Sequence, residues 1–177
     1  MENSNFYIHA PIIEECINGS SKAQYRLYNL YSKAMFNLAY RMMNNREDAE
    51  DILQEAFVEC FRNIASFRFE STFGAWLKKI TVNKCINQIN KKKIDLMLCE
   101  TLPNTVYEEE DEPAYDTVKI FKGIGMLPYG YRIILTLYLL EGYDHSEISQ
   151  ILGISESTSK SQYSRAKEKL RNSLSTN

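Results

Sequence analysis

The chain of 177 residues reads as an all-α protein: two small helical domains joined by a flexible acidic linker. Three observations carry that reading. Apolar residues recur at helical spacing through nearly every patterned segment, and no segment carries a strand signal worth naming. The pattern stops at "CETLPNTVYEEEDEPAYD", residues 99–116, which holds two prolines, a five-residue acidic run and no sustained period. Charge is also sorted by block. Basic and acidic residues number five and nine in 1–61, eight and one in 62–93, none and eight in 94–117, and eight and five in 118–177. The formal net charge of −2 thus conceals two basic blocks flanking a purely acidic one. The predicted boundaries are 1–94 for the first domain, 95–116 for the linker and 117–177 for the second domain.

Taken in order, "IIEECING" predicts a short helix ended by Gly19, with Ser20 or Ser21 capping the next. That second helix carries Leu27, Leu30, Tyr31, Ala34, Leu38 and Met42 on one stripe, and Asn44-Asn45 breaks it. Asn45 is placed to cap a third helix with an acidic first turn. There Ala49, Ile52, Leu53, Ala56, Phe57, Cys60 and Ile64 keep register over about four turns. A fourth helix is predicted to start at Ser71 or Thr72 and to run through "FGAWLKKITVNKCINQINKKK". Beyond the linker come three or four shorter helices punctuated by Pro128, Gly142 and Gly153.

Composition narrows the function. No run of about 18 apolar residues exists, so no membrane insertion is expected. The N-terminal stretch lacks a basic n-region and a long apolar core, so no signal peptide is expected there. Four cysteines at 16, 60, 85 and 99 form no C-x-x-C pair and meet only two histidines, which predicts no metal site, no disulfide framework and a reduced, cytoplasmic compartment. His9 and His145 lie far apart in sequence, and no nucleophile–base set or phosphate loop appears, so no catalytic residues and no cofactor are expected.

"HSEISQILGISESTSKSQYSRAKEKL" has the layout of a helix-turn-helix. Ile148, Ile151 and Leu152 give the first helix a buried face, Gly153 supplies the left-handed turn, Ile154 plugs the corner and Ser155 caps the second helix. With Tyr163, Ala166 and Leu170 facing inward, the outward arc holds Ser157, Thr158, Lys160, Ser161, Gln162, Ser164 and Arg165. Short polar groups let a helix approach base edges while Lys and Arg meet phosphates, which predicts that this hydroxyl-rich helix is a DNA-reading face, the alternative being a helix that is merely solvated.

Two further stretches carry chemistry. "REDAEDILQEAF" sets Asp48, Asp51 and Glu55 at i, i+3 and i+7, a carboxylate ridge opposite the apolar stripe with no evident intramolecular partner; a solvated helix face is the competing role. Carboxylates strung along one helix face do not converge on a metal ion. "FRFESTFGAWLKKITVNKCINQINKKK" interleaves Phe67, Phe69, Phe73 and Trp76 with Lys78, Lys79, Lys84 and Lys91–Lys93. Rings beside a cationic groove suit unstacked single-stranded bases. Core packing is the competing role for Trp76, Leu77 and Ile80.

Together these stretches resemble sigma-70-type transcription initiation factors, specifically the compact two-domain extracytoplasmic-function (ECF) kind. "DAEDILQEAF" is similar to the family's D-A-E-D-x-x-Q-E-x-F signature, and "FRFESTFGAWLKKITVN" to F-R-G-E-S-x-F-x-x-W-L-x-x-I-x-x-N. "LPYGYRIILTLYLLEGYDHSEISQILGISESTSKSQYSRAKEKL" resembles region 4, from the L-P opening to the R-A-x-x-K-L ending. The resemblance covers residues 12–93 and 118–171. It implies a region 2 helical bundle and a region 4 helix-turn-helix, and a non-enzymatic factor that carries core RNA polymerase to promoters and promotes melting.

By that resemblance Asp48, Asp51, Gln54 and Glu55 dock on the clamp coiled coil of the polymerase β′ subunit. Ser71, Phe73, Trp76, Lys79, Asn83 and Lys84 capture the melted −10 element. Ser157, Thr158, Lys160, Ser161, Gln162 and Arg165 read the −35 element. The implied partners are the polymerase core (β′ clamp and β flap), promoter DNA and an anti-sigma factor, the free protein being a monomer. The rival is a stand-alone helix-turn-helix regulator, which would bind palindromes as a dimer and need neither ridge nor aromatic–lysine helix. Three positions depart from the family pattern. Phe69 replaces a usual Gly, which predicts a changed loop shape; Ser159 replaces a small apolar residue, which predicts looser packing; Gln162 replaces a common Arg, which favours adenine over guanine.

Overall fold

The computed structural model describes residues 8–98 and 115–175, with side chains for 8–92 and 117–175. Among the described residues every regular element is helical. The chain divides into two compact units between Leu102 and Pro103.

The first unit holds α1 (Ala10–Ile17), α2 (Ser21–Met43), α3 (Arg46–Asn63), a 3-10 turn at Ile64–Ser66 and α4 (Phe73–Leu98). The predicted caps are in place. Ser20 Oγ accepts from the Ala23 amide, and Asn45 Oδ1 accepts from the Asp48 amide. Asn44 takes the left-handed conformation, φ 53°, that ends α2 and lets α3 turn back on it. Thr72 Oγ1 accepts from the Ala75 amide, so α4 begins at Phe73 with Thr72 as its cap.

Helices α2, α3 and α4 pack mutually, and α1 closes one end. Their core includes Ile13, Leu27, Met35, Leu53, Phe57, Cys60 and Leu77, all buried. Each such side chain contributes about 1.5–3 kcal/mol of burial. The predicted stripe of α2 needs correction. Leu30 is 54% exposed and Ala34 is exposed, while Met35 and Ala39 are buried in their place. A helix wedged between two others buries a wider and rotated arc than a single-stripe reading assigns.

The second unit holds α5 (Tyr115–Gly125), α6 (Tyr129–Leu135) continuing as a π-helical turn at Thr136–Leu140, α7 (His145–Leu152) and α8 (Glu156–Ser175). Helix α8 packs on α5, α6 and α7. Buried Arg132 donates to the Gly125 carbonyl at 3.0 Å and its guanidinium lies 4.6 Å from the Tyr129 ring centroid. This satisfies carbonyl acceptors where α5 ends. Gly153 has φ 64°, as the corner between α7 and α8 requires. Ile148 is fully buried, whereas Ile151, Leu152 and Ile154 are half-buried.

Helix α4 runs to Leu98, past the boundary predicted at 94, and α5 starts at Tyr115, just inside the predicted linker. The remainder of that linker, 99–114, lies outside the described residues.

Candidate nucleic-acid and protein interfaces

On α3 the carboxylate ridge faces away from the core, as the spacing predicts, but it is not without partners. Asp48 is only 14% exposed and pairs with Lys92 of α4. Glu55 lies 3.6 Å from Lys84 Nζ, and Lys84 makes a closer pair, 2.7 Å, with Glu59. The expectation of an unpartnered ridge therefore fails at two of its three carboxylates. The signal missed is the register of α4: Lys84 and Lys92 are eight residues apart, about two turns, and so lie on the face turned toward α3. Asp51 and Gln54 remain exposed. The hydrogen bond to Glu59 and the nearby carboxylates push the Lys84 pKa up. Gln54, Glu55, Val58, Glu59, Arg62 and Lys84 line an open cleft of about 360 Å³, in which Val58 is 56% exposed.

The aromatic–lysine stretch separates into core and surface. Phe73 is 2% exposed and Phe67 6%. The two rings meet edge-on with centroids 5.7 Å apart, and Trp76 lies 5.3 Å from Phe67 and 5.8 Å from Phe73. Tyr31 of α2 joins at 5.2 Å from Phe73. Phe73, placed among the −10 residues by sequence, is thus a core ring here, and Trp76 is half-buried with one side packed on that core. Lys79 and Asn83 are exposed along α4, and Ser71 sits half-exposed in the preceding loop.

In the loop itself Phe69 adopts φ 57°, the left-handed conformation that glycine favours and that a bulky residue seldom enters. Its ring packs against Phe67 at 4.8 Å and holds the strained residue down.

In the second unit the outward arc of α8 is present but already hydrogen-bonded locally. Ser155 Oγ accepts from the Thr158 amide and lies within 2.9 Å of Ser157 Oγ and 2.7 Å of Thr158 Oγ1. Ser161 Oγ donates to the Thr158 carbonyl, and Lys160 pairs with Glu156 one turn earlier. Arg165 is exposed. Gln162 is half-buried, its Oε1 lying 3.9 Å from where a Cβ on Gly130 would stand, so the amide leans toward α6. Ser159 is fully buried, yet it bonds His145 Nδ1 at 2.9 Å, so the predicted loosening is replaced by a polar contact.

Buried thiols complete the inventory. Burial pushes Cys60 and Cys85 up to about 12, which keeps both as inert thiols. Among the described residues no cluster of His, Cys, Asp or Glu could hold a metal ion, and no helix is long and apolar enough to cross a membrane.

The sigma-70 region 2 family model matches residues 27–94, and the sigma-70 region 4 model matches 118–170. The ECF RNA polymerase sigma factor SigW of Bacillus subtilis is 31% identical over 176 residues, covering 92% of this chain and 94% of the relative. The chain belongs to the ECF sigma factors. The ECF sigma-E factor of Haemophilus influenzae is 29% identical over 177 residues, covering 92% and 93%. Among solved structures, the fold is similar to the sigma factor RpoE of Bartonella quintana, solved in complex with the anti-sigma factor NepR (TM-score 0.65, 22% identity, 85% and 95% covered). It is also similar to CnrH, solved with the cytosolic domain of CnrY (TM-score 0.57, 20% identity, 94% and 96% covered). As a sigma factor the protein directs RNA polymerase to promoters, and the two matched regions fall one in each compact unit.

Proposed function

We propose that this sigma factor divides its work among three surfaces. The α3 ridge of Asp48, Asp51, Gln54 and Glu55 docks on the β′ clamp of the polymerase core. Helix α4 and the loop before it capture the melted −10 strand through Ser71, Trp76, Lys79, Asn83 and Lys84, with Phe73 acting from beneath as the ring on which Trp76 rests. The α8 arc of Ser157, Thr158, Lys160, Ser161, Gln162 and Arg165 reads the −35 element, and the second unit contacts the β flap. The protein itself carries no catalytic residue; polymerase performs the chemistry. It works as a monomer when free, in the cytoplasm where promoters are. An anti-sigma factor holds it in reserve, which the complexes of RpoE with NepR and of CnrH with CnrY support by analogy of fold.

The observation that carries this reading is the exposure of Lys79 and Asn83 on α4 directly beyond a half-buried indole that packs on the core. A half-buried ring next to exposed polar groups suits the edge of a duplex, where a base leaves the stack. Run-off transcription with purified core polymerase is the direct test. Asn83→Ala is expected to slow open-complex formation on duplex promoters about tenfold while leaving −35 binding within twofold, by analogy with the loss of one good base contact. On a pre-melted template the defect should shrink. Equal melting rates for mutant and wild type would reject the assignment of Asn83.

A further inference from the structure

The packing between α7 and α8 holds a polar contact that the helix-turn-helix layout does not require. His145 is the first residue of α7, and its backbone is fixed by a complete capping box. The Glu147 amide donates to Asp144 Oδ1 at 2.8 Å, and the Asp144 amide donates to Glu147 Oε2 at 2.8 Å. Its ring is fixed as well: Tyr138, from the π turn after α6, stacks on it at 4.6 Å, and Tyr163 of α8 meets it at 5.4 Å. From that position Nδ1 reaches 2.9 Å to the hydroxyl of Ser159, which is fully buried in the first turns of α8. The bond can run either way, with the hydroxyl donating to a bare Nδ1 or an Nδ1–H donating to Oγ.

We propose that His145 is a positioning residue for −35 recognition, setting the rotation and slide of α8 through Ser159. This rests on the reading above that α8 is the −35 helix. An apolar contact at this position tolerates small turns of α8, because packing depends weakly on direction. A hydrogen bond to a buried hydroxyl does not, since misalignment leaves the hydroxyl without a partner. The leverage is large. Turning a helix about 10 Å across by roughly 20° carries its surface groups by about 2 Å, whereas base contacts tolerate a fraction of that. Ser157, Thr158, Lys160 and Ser161 surround Ser159 in sequence, so their presentation follows from it.

The test is selection from a promoter library randomised at the −35 element, with full-length protein assembled on core polymerase. His145→Phe keeps a ring between the tyrosines but removes the polar atom. It is expected to flatten discrimination at the −35 positions by about tenfold, with −10 preference unchanged, as expected for one lost bond and one orphaned hydroxyl. His145→Asn places an amide atom where Nδ1 stands and is expected to keep the wild-type preference order. Ser159→Ala, which removes the buried hydroxyl instead of stranding it, is expected to flatten the profile in the same direction and covers the case in which His145→Phe does not fold. Uniformly weaker binding with the wild-type preference order in both His145→Phe and Ser159→Ala would overturn the proposal and leave a structural contact only. Arg165→Ala separates the premises. If it weakens binding to every −35 sequence while the His145 and Ser159 variants behave as wild type, α8 reads DNA and His145 does not position it. If none of the three has any effect, α8 is not the −35 helix.

Discussion

Replacing Asp51 and Glu55 together with lysine is expected to weaken assembly with core polymerase by a hundredfold or more while far-UV helicity stays at the wild-type level. Placing like charges across a docked surface costs several kcal/mol, and each 1.4 kcal/mol is a factor of ten. Asp51 is the cleaner of the two, since it is exposed and no ion pair joins it to a cation among the described residues. Asp48 is a poorer probe: its carboxylate is mostly buried against Lys92, and replacing it would also free a lysine on α4. Co-purification and competition with wild-type protein for limiting core enzyme provide the measurement. A double reversal that assembles normally would reduce the ridge to a solvated face, because ion pairs of that exposure contribute little to folding.

The second large effect concerns Phe73. With its ring 2% exposed and three aromatic neighbours within 6 Å, Phe73→Ala should lower the stability of the first unit by about 3–5 kcal/mol, the usual consequence of emptying a buried aromatic site. Phe73→Leu fills most of the space and should cost far less. The pair of variants distinguishes core from contact. If Phe73 acts from beneath Trp76, the Leu variant melts promoters at nearly the wild-type rate per folded molecule. A Leu variant that folds well, shown by urea denaturation, but fails to melt DNA would mean that the ring itself leaves the core to meet a base.

Helical periodicity, caps and breakers were legible because each is a local signal: Ser20, Asn45, Thr72 and Gly153 act within four residues of their own positions. What could not be read locally is which arc of a helix faces two neighbours at once, and there Leu30 and Ala34 were misplaced. The candidate site shows the same division. Exposure of Asp51, Lys79, Asn83 and Arg165 follows from their own helices. The Asp48–Lys92 and Glu55–Lys84 pairs join residues 44 and 29 positions apart, and the His145–Ser159 bond spans 14 positions around a tight turn. Such contacts depend on helix register, which sequence spacing within one helix does not determine. The family motifs point to three candidate surfaces, yet they describe which residues recur, not which of those are engaged with one another. Phe69 illustrates the limit: its departure from a glycine pattern is legible in the sequence, whereas the left-handed backbone it adopts and the Phe67 ring packed against it are not.

That backbone also gives the loop a dependence on temperature. A phenylalanine at φ 57° carries a conformational penalty of roughly 1–2 kcal/mol that hardly changes between cold and warm conditions. The contact opposing it, Phe69 on Phe67 at 4.8 Å, is apolar burial, which weakens on cooling. The two quantities therefore diverge near freezing, and the segment before α4 should loosen there while the bundle beneath it stays intact. Aromatic proton resonances of Phe69 recorded from 37 °C toward 2 °C should broaden or shift before those of Phe73. Promoter melting by this factor would then fail in the cold sooner than assembly with polymerase does.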